Sequence, residues 1–563
     1  IAFCEKKNEN AKVIPLKSGK RLLPSTISIS KNTKKFIIGE SAYNQKITNP
    51  EETFYSIKRF IGRSSKEFKK PLLDNYPFNK TVREDRLVLF SEVLNQEFSC
   101  EEISAQVLLK LKSNAEKYLN KPIKKCVITV PAYFDNNQRK ATRVAAEIAD
   151  LEVIRLINEP TAAALAYSID KSQTELNTLV FDLGGGTFDI SLVRTGGEDI
   201  DSFSVIATQG DRELGGDDYS NLLYDHFVEI IKDRNPNVIF DDLRNQGLIK
   251  DQVEKVKHAL SFEDKVEINI PFLFTDNNQP FSYQSSITLS EFNKVIHSLT
   301  TRIEKITKKF LKLRSVKSNE FSKVVLVGGA SRMPSFINLI EEITGMIPMQ
   351  DHNPDEIVAL GAAYCAEYND KKVIVDVNPL SLGIKLIGDV FSILIPSNTL
   401  LPSRKSGDYT TTYDYQEHVL FEVFQGEREI ASKNINLGKF ILDDVLIDKK
   451  GVPSFDVTFE LDCDGILSVR AKDKDTNSKN SIVIKNTLDI SQEEIRRMRQ
   501  IAFEMFDADK KHLGNHSKLD ELRKWKRVFD AIYDPKLSSV DKSIIKRVEN
   551  TLEGNNKINE DIE

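Results

Sequence analysis

The chain has 563 residues, a length that suits three or four domains at roughly 100–200 residues each. Its 79 Lys and Arg against 84 Asp and Glu leave a net charge of -5, which removes the electrostatic case for nucleic acid or for a polybasic membrane binder. With 40% apolar and 29% charged residues, and no apolar run near the ~18 residues that span a bilayer, disordered, collagenous and transmembrane classes are excluded. The five cysteines, Cys4, Cys100, Cys126, Cys365 and Cys463, form no CxxC pair, so a reducing compartment is expected and not a disulfide framework or zinc site. No charged-then-apolar signal segment is found at Ile1.

Residues 1–372 alternate strand-like and helix-like stretches. Cys126–Val130, Thr178–Phe181 and Lys323–Val327 are β-branched runs, each ending in Pro, Asp or Gly, and Ile103, Val107 and Leu111 recur at helical spacing. This is α/β grammar. An apolar connector, Val373-Ile374-Val375-Asp376, follows. From 378 to about 486 the pattern is strands and turns: Val419, Phe421 and Val423 alternate with Leu420, Glu422 and Phe424, and Phe455–Leu461 alternates before a Cys463-Asp-Gly465 turn. Ser491-Gln-Glu-Glu494 is a capping box, with Ile495, Met498, Ala502 and Met505 at helical spacing after it. The expected boundaries are 1–372, 373–377, 378–488 and 489–563.

Two glycine elements carry the chemistry. Asp182-Leu-Gly184-Gly185-Gly186-Thr187-Phe-Asp189 lies between two strand-like runs; its glycines let backbone N–H groups approach an anion, and its aspartates suit a hydrated Mg²⁺. Taken alone it could equally be a glycine hairpin with solvated aspartates. No GxxxxGK[ST] motif occurs. The second element, Gly328-Gly329-Ala330-Ser331-Arg332, follows a strand, and Arg332 could stack on a base. Together they suggest a nucleotide held between two lobes.

With Ile128–Phe134, Asn158–Ala164, Asn353-Pro-Asp355, Leu380–Gly383 and Gln425–Arg428, these motifs resemble the seventy-kilodalton heat-shock chaperones of the DnaK type, in the family's order along essentially the whole chain. The resemblance implies a multidomain α/β, β and α protein: an actin-like two-lobed ATPase domain, an antiparallel β-sandwich that binds peptides, and a short helical lid. It implies an ATP-dependent chaperone of protein folding and the heat-shock stress response. Implied cofactors are ATP/ADP, Mg²⁺ and K⁺. Implied partners are unfolded polypeptides, a J-domain co-chaperone and a GrpE-type exchange factor, with no nucleic acid and no membrane, for a monomer in bacterial cytoplasm or an organelle matrix.

By position, Lys58 is implied to place the attacking water and γ-phosphate, Glu159 and Asp182 to organise Mg²⁺ (Asp182 through water), and Thr187 to touch phosphate. Gly184, Gly185, Gly186 and Asp189 complete that cradle. Glu254, Lys257, Ser261, Gly328, Gly329, Ala330, Ser331, Arg332 and Asp355 are implied to hold the nucleoside; His258 receives no role. Pro131 and Arg139 match the ATP-sensing switch, Val373, Ile374, Val375 and Asp376 the coupling linker, and Arg155 with Asp376 the J-domain contact. Ile384, Ile387, Tyr409, Thr412, Val419 and Phe421 match the peptide site, with Tyr409 and Thr412 as an arch and Val419 as the central pocket. Without the family, Lys58 and Glu159 would be a surface ion pair, and Val419 and Phe421 plain sandwich core.

Two departures are expected to matter. The family's first strand and its Asp-Leu-Gly-Thr-Thr-Asn phosphate loop have no counterpart, which suggests a fragment with weakened hydrolysis. The lid is short, which suggests faster peptide release. An iron–sulfur-specialised HscA-like chaperone and a non-cycling peptide scaffold are the alternatives.

Overall fold

The structure is a computed structural model that describes residues 1–503 apart from 5–9, 69, 169–175, 197–201, 236–241, 277–278, 314–320, 350, 369–372, 477–478 and 483–490. The helical reading of 504–563, Met505 included, lies outside the described residues, as does Asp370-Lys-Lys372.

The first lobe is built on β-branched strands that can bury both faces. Lys125–Val130 and Glu152–Asn158 pair in parallel, and helices Cys100–Leu119 and Asn136–Ile148 cover them. Ser99 and Asp135 cap those helices, each accepting an N–H from three residues on. An aromatic group of Phe54, Phe60, Tyr76 and Phe78, with ring centroids 5.1–6.5 Å apart, fills the adjoining core.

The second lobe is organised on a five-stranded sheet in the order Lys323–Val327, Leu176–Leu183, Phe188–Thr195, Ser202–Asp211, Val373–Val375. The glycine octet is its central hairpin: Asp182 stands directly opposite Asp189. Helices Glu159–Ser168 and Ile357–Tyr368 cross on one face of this sheet so closely that a Cβ on Gly361 would lie 1.8 Å from the Ala162 carbonyl oxygen. Only a glycine fits there.

The apolar connector is the fifth strand. Val373, Ile374 and Val375 pair in parallel with Ser202, Phe203 and Ser204, and Ile374 is buried. Its three apolar residues therefore act as an edge strand, so the α/β unit extends past residue 372.

Residues 382–482 form two four-stranded antiparallel sheets, Leu382–Leu386, Val390–Ile395, Val419–Gln425 and Ile435–Leu442 against Ser403–Thr410, Ser454–Leu461, Leu467–Asp473 and Lys479–Ile482. Inward residues such as Val423, Phe455, Val457 and Phe459 are fully buried between them. Phe424, on the other side of the Val419 alternation, is also buried, against Phe391 and Ala431, and the register shift beside it leaves the extra residue, Leu437, on the partner strand. Helix 492–503 starts where Ser491 accepts the Glu494 N–H at 3.1 Å. Its Ile495, Met498 and Ala502 pack on Ala105, Leu109, Ala146 and Leu151 of the first lobe, not on the sandwich.

Candidate functional site

A cavity of about 510 Å³ opens between the lobes, lined by Lys58, Arg59, Glu159, Gly184, Gly185, Gly186, Thr187 and Asp217. Its glycine loop has a definite orientation. The Gly216 and Asp217 N–H groups, at the start of helix Gly216–Arg234, donate to the Gly184 and Gly185 carbonyls at 2.9 and 2.8 Å. A trans peptide sets C=O and the next N–H on opposite sides, so the Gly185 and Gly186 N–H groups face away from that helix, towards the cavity. Two adjacent N–H groups aimed one way make an anion cradle. Gly328 carries the second glycine element close to it: its φ is +84°, and a Cβ there would lie 2.4 Å from the Leu183 carbonyl oxygen.

Lys58 reaches into the cleft and donates to Glu159 Oε1 at 2.6 Å. Enclosure works against its ammonium, but Glu159, Asp182 and Asp189 raise its pKa above the usual value. Burial, then Glu159, pushes the Asp182 carboxyl up to about 8, Lys58 opposing them. Asp189, fully buried, is raised too, first by burial and then by Asp182; one oxygen accepts the Tyr133 N–H at 3.0 Å and the other has no partner. Two facing buried carboxyls, one with an orphan oxygen, fit a hydrated divalent cation, which neutralises charge the protein leaves unpaired. Among the described residues no group of three or more His, Cys, Asp or Glu side chains is placed to hold a metal ion directly.

The expected nucleoside residues fall in two groups. Lys257 Nζ donates to Glu254 Oε1 at 3.0 Å, to Ser220 Oγ at 2.6 Å and to the Gly216 carbonyl at 3.0 Å, tying helix Leu243–Ala259 to the helix behind the glycine loop. Burial works against the Glu254 carboxylate, but Lys257 and the Ser220 hydroxyl hold its pKa below the usual value. Ser261 follows with Oγ 3.4 Å from the Lys257 carbonyl. In the other group Arg332 donates to Asp355 Oδ2 at 2.8 Å and to Asn353 Oδ1 at 2.7 Å, Ser331 Oγ donates to the Gly328 carbonyl at 2.7 Å, and Gly329 and Ala330 share that turn. Arg332 is thus held by Asn353 and Asp355.

The coupling residues converge on one junction. Buried Arg139 donates to Asn158 Oδ1 at 2.6 Å; Asn158 Nδ2 donates to Asp376 Oδ1 at 2.6 Å, and Thr161 to Asp376 Oδ2 at 3.2 Å. Arg155 donates to the Ile374 carbonyl at 2.7 Å, and Pro131 is buried beside this group. Three partners lay hidden in the sequence. Asp464, read there only as a turn residue, accepts the Leu156 N–H and an Arg143 bond, and its carbonyl accepts Arg139 at 3.1 Å. Gln425 accepts the Asn136 N–H at 3.1 Å, and Asn136 in turn accepts the Leu467 N–H at 2.8 Å. Their sequence signals were the Asp464-Gly465 turn and, for Gln425, its place at the head of the Gln425–Arg428 motif.

The peptide residues are less united. Ile387 is 72% exposed and Thr412 is exposed, its N–H and Oγ1 on Gln416 Oε1. Tyr409 is half-buried, its ring 6.5 Å from Phe421. Ile384, Val419 and Phe421 are sandwich core, with Phe421 stacked 5.2 Å from Phe440. Their peptide role rests on the resemblance alone.

The Hsp70 protein family model matches residues 2–563. The chain belongs to the Hsp70 family. It is 41% identical over 490 residues to a chaperone protein dnaK of Guillardia theta, covering 86% of this chain and 77% of that one. Proteins of the same name from Prochlorococcus marinus strain MIT 9515 and Emiliania huxleyi are 41% identical over 504 residues and 40% over 502, covering 88% of this chain and 78% and 80% of theirs. As an Hsp70-family protein of the DnaK type, the chain is an ATP-dependent chaperone with ATPase activity that acts on polypeptide clients. Among the described residues no helix is long and apolar enough to cross a membrane.

Proposed function

We propose that this Hsp70-family protein uses Lys58, Glu159, Asp182 and Thr187 to hydrolyse ATP, and that the geometry described is its domain-docked, peptide-releasing arrangement. The observation that carries this reading is the strand Val373–Val375 paired onto the ATPase sheet while Asp464 and Gln425 of the sandwich bond to Arg139, Arg143 and Asn136 of the first lobe. Helix 492–503, the described part of the expected lid, packs on that lobe too.

In the mechanism, the Gly185 and Gly186 N–H groups bind β/γ-phosphate oxygens. Lys58 offsets charge that develops during a loose phosphoryl transfer, and Glu159 fixes the Lys58 position and orients the attacking water. Mg²⁺ would be held through water by Asp182 and Asp189 and would supply further charge neutralisation. Glu254, Lys257, Ser261 and Arg332 bind the nucleoside. On hydrolysis Arg139 and Asn158 release Asp376 and the connector strand, and the sandwich leaves the first lobe to close on a client through Ile387, Tyr409, Thr412 and the Val419 region.

The expected boundaries, now with 373–375 shared by both units, stand as part of this proposal, together with a J-domain partner at Arg155 and Asp376, a GrpE-type exchange factor, a monomeric state and a bacterial cytoplasmic or organelle-matrix location. An iron–sulfur specialisation gains nothing from the relatives, which carry the general chaperone name. The deciding experiment is release of a fluorescent apolar peptide with and without Mg-ATP. Faster release with ATP supports the reading; identical rates in a chain shown to bind ATP would leave a non-cycling scaffold.

A further inference from the structure

Arg59 is a residue the preceding mechanism does not use. It follows Lys58 in the 3₁₀ turn Ile57–Arg59, which Ser56 enters with a left-handed φ of 55°. That turn sends the two cations different ways: Lys58 into the open cleft and Arg59 beneath the glycine loop, where its side chain is 3% exposed. A Cβ on Gly186 would lie 3.0 Å from the Arg59 Cγ and 3.4 Å from its Nε, so the guanidinium stem is laid along the cradle.

Three nitrogens of Arg59 have different fates. Nη2 crosses to the second lobe and donates to both oxygens of Asp218, at 2.8 and 2.6 Å. Nη1 stands 4.0 Å from Asp217 Oδ2, beyond hydrogen-bond distance, and Asp217 is already taken by Ser56 Oγ at 2.7 Å and Tyr76 OH at 3.4 Å. Nε and Nη1 are both buried and make no hydrogen bond of good geometry, although the Tyr76 hydroxyl and Asp217 stand close. A buried unpaired donor on a cation is costly, so two on one side chain call for an acceptor. The cavity that Arg59 lines also carries the phosphate cradle, Lys58 and Glu159, beside apolar residues such as Ile103, Val107 and Leu111.

We propose that Arg59 is a phosphate-reading clamp: Nε and Nη1 bind oxygens of the terminal phosphate of a nucleoside triphosphate, while Nη2 draws lobe II closed through Asp218. The inference rests on the nucleotide reading of the cleft. Charge-assisted bonds from a guanidinium to phosphate are among the stronger ones, and a lysine cannot reproduce the planar donor set. A diphosphate lacks the group that Arg59 reads, so the clamp distinguishes the two nucleotides and favours closure around ATP.

The test uses the full chain with Mg²⁺, measuring affinity for fluorescent ATP and ADP analogues and single-turnover hydrolysis in wild type, Arg59→Lys and Asp218→Asn. For Arg59→Lys the expected result is a loss of ATP affinity of about tenfold, ADP affinity within about threefold of wild type, and hydrolysis slowed about tenfold. Asp218→Asn should weaken both nucleotides by the same factor, because it loosens the lobes without touching phosphate. Equal loss of ATP and ADP in Arg59→Lys, or no loss of either, would overturn the inference and leave Arg59 as a brace. An ATP-selective loss in Asp218→Asn equal to that in Arg59→Lys would also overturn it, by placing the selectivity in closure alone. If wild type binds neither nucleotide, the reading of the cleft fails and the inference falls with it.

Discussion

Lys58 and Glu159 show why residue identity alone cannot assign chemistry. An ion pair at 2.6 Å with a half-exposed lysine would contribute under ~1 kcal/mol on an open surface. Here it stands over buried Asp182 and Asp189, whose raised pKa values record charge that the protein itself does not neutralise. The role proposed for Lys58 is therefore catalytic. Lys58→Ala should lower single-turnover ATP hydrolysis by about 10²–10³ while nucleotide affinity changes far less; a parallel fall in both would refute the assignment.

At the scale of elements, the connector strand and the docked helix are the movable parts. Ile374 is 5% exposed, and burying such a side chain stabilises docking by roughly 1.5–3 kcal/mol. Ile374→Asp should detach the strand, so that ATP no longer speeds peptide release although ATP still binds; retained coupling would show that the strand pairing is incidental. Helix 492–503 closes a cavity of about 510 Å³ over Glu101, shared with Arg63, Arg86, Glu494, Arg497 and Met498. Burial raises the Glu101 carboxyl above the usual range, with Glu494 adding to the effect and Arg86 opposing it. A carboxyl that holds its proton more tightly when folded makes the folded form bind more protons, so stability falls as pH rises through the raised pKa. Melting temperature should therefore decline more from pH 5 to 8 in wild type than in Glu101→Gln; matching profiles would remove Glu101 as the cause.

For the whole molecule, the contacts of Asp464 join residues more than 300 positions apart. Asp464 alone accepts from Arg143 and the Leu156 N–H through its side chain and from Arg139 through its carbonyl. Removing its side chain leaves the buried Leu156 N–H and Arg143 short of an acceptor, a loss of about 1–3 kcal/mol that falls on the docked arrangement and not on either domain. Asp464→Ala should lengthen the mean distance between fluorophores on the first lobe and the sandwich in the ATP-bound protein, with domain melting nearly unchanged. An unaltered distance distribution would mean that the remaining contacts suffice.

Much of this was legible in the sequence because its causes are local. The β-branched runs at 126–130, 178–181 and 323–327 are strands, the glycine octet is a hairpin with its aspartates paired, and the Ser491 cap starts a helix where the pattern places it. Backbone sterics, alternation and capping act over a few residues, so a sequence states them directly. The resemblance added which of these elements meet a nucleotide. What the sequence could not contain is set by pairing across distance. Val373–Val375 has the composition of an edge strand and of a hinge alike, and only the free edge at Ser202–Ser204 decides that it is a strand here. Arg59 has the same side chain as any surface arginine, and only the approach of Asp218 and Gly186 buries it beneath the cradle. Short-range forces wrote the elements into the order of residues; the closeness of the two lobes, which desolvates charges far apart in the chain, belongs to the tertiary structure alone.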